Sequence, residues 1–151
     1  MNKSLLTIAL IAIISVGLLF RTVNLSSNPP GFSADEAVIG LDAYSLMYTG
    51  KDHTGKHLGF FIEALGDWRS FVPFVSAMPT VALLGLNEFA TRLPSALYGT
   101  ISILLLYGIT AELFTPTVAL IAAGLLAVSP WHMHISRMGF EFISFPAWFM
   151  L

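Results

Sequence analysis

The stretch that decides the fold is Pro29-Pro30-Gly31-Phe32-Ser33-Ala34-Asp35-Glu36-Ala37. It follows an apolar segment that is long enough to enter a bilayer, and a helix-like run over 37–47 follows it. Ionisable groups are costly to hold beside hydrocarbon, so carboxylates at a membrane boundary are functional candidates. We therefore interpret the rest of the chain as a scaffold that holds Asp35 and Glu36 at that boundary.

The composition is typical of an integral membrane protein. The chain has 151 residues, of which 56% are hydrophobic and only 11% charged, and its mean hydropathy is +0.78. A soluble domain usually has about 25% charged residues. The net charge of −2 gives no support to nucleic-acid binding, which needs a clustered basic surface. The lack of cysteine excludes disulfides and thiolate metal sites.

Three apolar runs, at 5–23, 93–111 and 118–134, predict membrane-spanning helices, because about 20 apolar residues cross a bilayer. A signal peptide is the alternative for the first run, but no small-residue cleavage site stands out after it. A further span starts at 142 and the sequence ends inside it. From this we expect the chain to be the N-terminal part of a longer protein.

Charged residues return over 24–92, which we predict to be an extracytoplasmic loop. Ser33 and Glu36 have the spacing of a capping box, so a helix is expected to start there and to fade at Thr49-Gly50.

The apolar run 71–86 contains two prolines and has two interpretations. It is either a kinked span or a segment that lies at the membrane interface, and we favour the second. In that topology Asp35 and Glu141 share one face of the membrane. If the run crosses, the two carboxylates are on opposite faces.

The order of these features resembles a known group of enzymes. An Asp-Glu pair follows the first span, Trp68-Arg69 lies in the loop, and Gly85-Leu86-Asn87-Glu88-Phe89-Ala90-Thr91-Arg92-Leu93-Pro94-Ser95 leads into the next span. A Ser-Pro-Trp, Ser-Arg, Phe-Glu series comes later. The set resembles the N-terminal part of GT-C fold membrane glycosyltransferases, the superfamily of protein O-mannosyltransferases and lipid A aminoarabinose transferases. It implies an all-α polytopic helix bundle with interfacial helices in the first extracytoplasmic loop.

The resemblance also implies a function. Such enzymes move a sugar (a hexosyl or pentosyl group) from a polyprenyl-phosphate donor to an acceptor lipid, glycan or protein. The protein is then expected in a prokaryotic plasma membrane, among membrane lipids, with its active site facing outside. The implied catalytic carboxylates are Asp35, with Glu36 beside it, and Glu141. Arg69, expected in a later helix of the loop, would face the lipid phosphate.

Transfer from a lipid phosphate needs a base and positive charge for the leaving group. Asp35 is the predicted base, or else a ligand of a divalent cation (Mg or Mn) that does the same work. Arg69 and Arg137 are predicted phosphate ligands, because the guanidinium fork matches phosphate oxygens. Structural explanations stand beside these roles: Glu36 can serve only as a cap, and Arg137 and Glu141, at i and i+4, can pair with each other.

The histidines are weak metal candidates. His132 and His134 point to different faces of a helix, so they converge only if the segment is extended. His53 and His57 lie in a loop-like run with a glycine between them. We therefore do not expect metal binding at either pair.

Two other functions stay open. One is a transporter or flippase of lipid-linked sugars, which would use the same charged groups for binding. The other is a non-catalytic membrane subunit, in which the charges only pair with each other.

Overall fold

The computed structural model describes residues 2–64 and 66–151 and is mostly helical, as predicted. The helices, in chain order, are α1 (Lys3–Thr22), α2 (Ala34–Thr49), α3 (Val72–Leu84), α4 (Glu88–Leu113), α5 (Pro116–Val128), α6 (Pro130–Ser136) and α7 (Ser144–Phe149), with a 3-10 turn at Glu141–Ile143 before α7. The expectation of an all-α chain is wrong in one place, because two antiparallel strands, β1 (Phe61–Ala64) and β2 (Asp67–Ser70), precede α3.

Two helices, α1 and α4, are long and apolar enough to cross a membrane. The bent pair of α5 and α6, which meet at an angle of 60°, is a third candidate if it forms one crossing. Pro130 starts α6 and has no N–H for the carbonyl of Leu126, so the ladder of helix hydrogen bonds is interrupted at the bend.

Helix α4 begins earlier than the sequence indicated. Its N-cap is Asn87, whose side chain accepts from the N–H of Ala90, so Pro94 lies inside the helix rather than at its start. A proline there leaves the carbonyl of residue i−4 without its usual donor. That carbonyl belongs to Ala90, and the hydroxyl of Thr80 on α3 donates to it at 2.6 Å. A neighbouring helix thus satisfies the group that Pro94 frees.

Helix α3 is short. Its 13 residues span about 20 Å at 1.5 Å per residue. The hydrocarbon core of a bilayer is about 30 Å thick, so α3 cannot cross it alone. The helix ends at Gly85, whose φ of 78° lies in the left-handed region that glycine adopts without strain.

The hairpin of β1 and β2 has two different faces. Ile62 pairs with Arg69 across the strands, and both point inward, where Ile62 is buried against Phe74 and Ala77. Phe61 and Trp68 point outward and are exposed. Arg69 therefore lies on a strand, and its expected position on a helix is wrong: the short apolar run before it pairs with the residues that follow, as a two-residue side-chain alternation allows.

Two apolar clusters hold the helices. One joins α2, the hairpin and α3 around Ile39, Ala43, Leu46 and Phe74. The other is small and joins α4 to α5 through Ile103 and two alanines of α5. Small residues allow close helix packing in lipid, where apolar burial gives little driving force.

Candidate functional site

A buried ion pair joins the start of α2 to the start of α4. Glu36 is 2% exposed and Arg92 is fully buried. Nε and Nη2 of Arg92 donate to the two carboxylate oxygens of Glu36 at 2.7 and 3.1 Å. Nη1 donates to the carbonyls of Leu25 and Pro29, both at 3.1 Å. A single guanidinium thus fixes both helix starts and the segment that follows α1.

Glu36 has further partners that explain its charge state. It forms the predicted capping box with Ser33, whose N–H donates to Oε2 at 3.0 Å, and the N–H of Gly139 donates to Oε1 at 2.9 Å. Burial alone raises the pKa of Glu36, but the hydrogen bonds from Arg92, Gly139 and Ser33, with the charge of Arg92, bring the pKa below its ordinary value of 4.5. Glu36 is therefore ionised, and both of its carboxylate oxygens are engaged in hydrogen bonds within the protein. This favours its capping role, and its catalytic role stays a prediction.

Asp35, the neighbouring carboxylate, forms an ion pair with Arg69. The distance between Oδ1 of Asp35 and Nη2 of Arg69 is 2.9 Å, and the side chains are 34% and 16% exposed. The structure thus brings the predicted base together with a predicted phosphate ligand. Nε of Arg69 is buried and has no acceptor in the part of the chain that the structure describes, so the guanidinium has an unused donor.

The bond from Gly139 to Glu36 also brings the segment after α6 to the start of α2. Glu141 lies two residues further on. Its Oε2 is buried and receives no hydrogen bond from the residues that are described. It borders a water-sized cavity of about 10 Å³ that Ser95, Tyr98 and Ser144 also line. The segments that follow α1 and α6, which carry the predicted carboxylates, therefore meet in the structure, whereas the side of the membrane that they face stays a prediction.

Arg137 has a structural environment that the sequence did not indicate. Its guanidinium is mostly buried and donates to the carbonyls of Phe20, Val23 and Asn28 at 2.6, 2.7 and 2.8 Å. It thus caps the end of α1, and binding a phosphate would require breaking those bonds. The alternative pairing with Glu141 is wrong, because helix α6 ends at Ser136 and the chain from 137 to 140 does not keep the helical i, i+4 geometry.

The two histidines of α6 diverge, as expected on a helix. His134 is exposed, whereas His132 is buried and its Nδ1 accepts from Nη2 of Arg21 at 2.9 Å. Arg21 also donates to the carbonyls of Leu126 and Ala127, at the bend between α5 and α6. Within 2–64 and 66–151, no three His, Asp or Glu side chains are close enough to hold a metal ion. These residues do not by themselves fit a divalent cation, and the Mg or Mn ion stays a prediction.

Sequence reasoning missed four buried charged residues: Arg21, Asp42, Asp52 and Arg92. Asp42 is fully buried and accepts from the backbone N–H and Nδ1 of His53 at 2.6 and 2.9 Å, which fixes the loop after α2. A signal existed for both arginines, because each stands at the edge of an apolar run, where a charge is costly unless it is paired. Nothing in the sequence names their partners, which are mostly backbone carbonyls.

One comparison with known proteins is informative. The model of the dolichyl-phosphate-mannose-protein mannosyltransferase family matches residues 71–151, which is more than half of the chain. The match begins just before α3 and includes α4, α5, α6 and Glu141. A search of curated proteins and a search of solved structures each found no match.

Proposed function

The chain belongs to the dolichyl-phosphate-mannose-protein mannosyltransferase family, and on that premise we propose that it moves a sugar from a polyprenyl-phosphate donor to an acceptor hydroxyl outside the membrane. Membership makes it a membrane protein of a glycosyltransferase family. The observation that supports the specific proposal is the ion pair of Asp35 and Arg69, which places a carboxylate base beside a cation at 2.9 Å.

The proposed reaction is a displacement at the sugar's anomeric carbon. Asp35 accepts the proton of the acceptor hydroxyl while that oxygen bonds to the anomeric carbon. The bond from this carbon to the phosphate oxygen breaks, and its electron pair leaves with the lipid phosphate. Arg69 neutralises the charge that develops there, which is commonly the largest catalytic contribution.

The pairing of Asp35 with Arg69 suits this sequence of events. A bound phosphate competes with Asp35 for the guanidinium and can also use its Nε, which is buried and has no acceptor among residues 2–64 and 66–151. As Arg69 turns toward the phosphate, the carboxylate of Asp35 is released from the ion pair, and its oxygens can accept the proton of the acceptor hydroxyl. Glu36 and Arg92 hold the start of α2 in place during this exchange. Glu141, whose buried Oε2 receives no hydrogen bond from the described part of the chain, positions the acceptor.

The membrane placement is part of the proposal. The helices α1, α4 and the bent pair of α5 and α6 cross the bilayer, and α3 lies at its outer interface, in a polytopic GT-C bundle. The active site faces outside in a prokaryotic plasma membrane. The acceptor is a lipid, a glycan or a protein hydroxyl.

The test is Asp35→Asn in the protein reconstituted in liposomes with a radiolabelled polyprenyl-phosphate sugar. A positioned base contributes about 10²–10⁴-fold, so we expect kcat to fall by about that factor. The matched control is Glu112→Gln, which changes an exposed carboxylate at the far end of α4 and should leave turnover unchanged. Near wild-type turnover in Asp35→Asn would remove Asp35 from the mechanism.

A transporter of lipid-linked sugars is the second candidate, and one observation favours it. Discontinuous helices are a feature of transporters, and α5 and α6 meet at 60°. The same liposome assay separates the functions. Labelled product indicates a transferase, and movement of intact donor across the bilayer indicates a flippase. The absence of both results indicates a non-catalytic subunit.

A further inference from the structure

The hairpin carries an exposed aromatic surface, formed by Phe60, just before β1, and by Phe61 and Trp68 on its outer face. They are 81%, 64% and 61% exposed, although the inner face of the same hairpin is packed against the core. Phe71 extends this surface, because its ring meets the edge of Phe60 with 6.0 Å between centroids. Several large aromatic residues in one exposed patch indicate contact with a partner or a membrane.

The direction of α3 places this surface relative to α4. The hydroxyl of Ser76, early in α3, lies 2.9 Å from that of Tyr98, whereas Thr80, one turn later, donates to the carbonyl of Ala90. Later residues of α3 therefore contact earlier residues of α4, so the two helices are antiparallel. The hairpin, which precedes α3, lies at the end of α3 that is nearer to the middle of α4, and Glu88 lies at the other end.

The end of α1 indicates how deep the hairpin end of α3 lies relative to the membrane. Gly99 of α4 packs against Arg21, and a Cβ at Gly99 would be 3.1 Å from Nε of Arg21. Arg21 is in the last turn of the first apolar helix, which marks the membrane boundary. Tyr98, next to Gly99, is thus at this boundary, and so is Ser76, about one turn after the start of α3. The first three turns of α4, residues 88–98, extend beyond this boundary.

The lipid-facing surface continues toward the hairpin. A groove of about 340 Å³ between α3 and α4 is lined mainly by apolar groups, among them Pro79, Leu97 and Ile101. Leu97 and Ile101 are exposed on a helix that is apolar enough to span the membrane. This groove reaches Ile101, about one turn beyond Tyr98 toward the hairpin end of α3, so the aromatic surface lies near its depth.

We propose that the outer face of the hairpin inserts into the interfacial layer of the outer leaflet and anchors the loop to the membrane. Aromatic side chains favour this layer. The charges on this face suit it too, because Lys56 pairs with Glu63 at 2.7 Å and lies 5.5 Å from the centre of the Trp68 ring. Arg69, on the inner face, is then held at the depth of the lipid phosphates. This inference rests on the crossing of α1 and α4 and not on transferase activity.

The test uses tryptophan fluorescence in liposomes. Trp131→Phe/Trp148→Phe leaves Trp68 as the emitter, since the chain has three tryptophans. The control adds Trp68→Phe and Glu88→Trp, which moves the emitter to the opposite end of α3. We expect lipids brominated near the headgroup to quench Trp68, and its iodide quenching constant to be several-fold lower than that at position 88.

The opposite pattern overturns the proposal. If iodide quenches both positions equally and the brominated lipids leave Trp68 unaffected, the face is in water. A shift of that water-exposed emission on adding a free glycan would identify the face as a sugar platform and would equally reject membrane insertion. Phe61→Trp in the background without other tryptophans is the second emitter on this face and should be shielded like Trp68. Circular dichroism checks that each variant is folded.

Discussion

The pair of Glu36 and Arg92 offers the sharpest test of the structure, through the substitution Glu36→Gln. The carboxylate receives hydrogen bonds from Arg92, Ser33 and Gly139. A glutamine keeps one acceptor oxygen but turns an NH₂ group toward donors of Arg92 and Ser33. Removing one partner of a buried pair costs about 3–5 kcal/mol. For Glu36→Gln we expect a loss of about 3 kcal/mol in unfolding free energy, the lower end of this range, because Arg92 keeps its carbonyl acceptors.

The measurement is the free energy of unfolding in detergent, followed by circular dichroism in increasing denaturant. A loss of this size changes the unfolding equilibrium constant by about two powers of ten. Glu112→Gln is the control, and an exposed substitution of this kind should stay within about 0.5 kcal/mol of wild type.

The double variant Glu36→Gln/Arg92→Met checks that the two effects belong to one interaction. Replacing both members of a buried pair removes the unpaired charge, so the double variant should lose less than the sum of the single losses, by about 1 kcal/mol or more. The reasoning is refuted if the unfolding free energy of Glu36→Gln is within about 0.5 kcal/mol of wild type, since breaking a buried ion pair costs more than that.

Two further predictions concern pH and helix packing. The pKa of Glu36 is lowered in the folded protein, so in acid the unfolded chain binds more protons than the folded chain. The difference in unfolding free energy between wild type and Glu36→Gln should therefore have its largest value at neutral pH and decrease below about pH 5. Unfolding curves at several pH values measure it. Gly99→Ala places a methyl group against the side chain of Ser136 and should cost about 1–3 kcal/mol in the same assay. Gly108→Ala is its matched control on α4, because its methyl group meets no atom of the other described residues within 4 Å apart from its own helix backbone. It should be neutral or stabilise by about 0.5–1 kcal/mol, and equal losses in both variants would contradict the packing of α4 against α6.

Much of the local structure followed from short sequence signals. The capping box at Ser33 and the end of α2 at Gly50 are confirmed, because both depend on interactions within a few residues. The helical class followed from composition and apolar length. The hairpin was missed because its strands are only four residues long, and a short apolar run does not distinguish a strand from a helix.

The sequence identified individual residues of the candidate site but not which of them form ion pairs. Asp35 and Arg69 were each singled out for chemistry, yet the ion pair between them depends on the hairpin that brings residue 69 to α2. A helical pairing of Arg137 with Glu141 was the structural alternative to their site roles, and the end of α6 at Ser136 prevents it.

The sequence alone determined that this is a helical membrane protein, that α2 starts at Ser33, and that two carboxylates lie just beyond the first apolar helix. These features depend on composition and on spacings within one or two turns. The tertiary structure decided which charges are free. Arg92 and Arg137 are occupied by carboxylate and carbonyl groups from distant parts of the chain, whereas Glu141 keeps a buried oxygen without a donor among the residues described. A buried charge is stable only where its partners surround it, and those partners meet only when the helices pack.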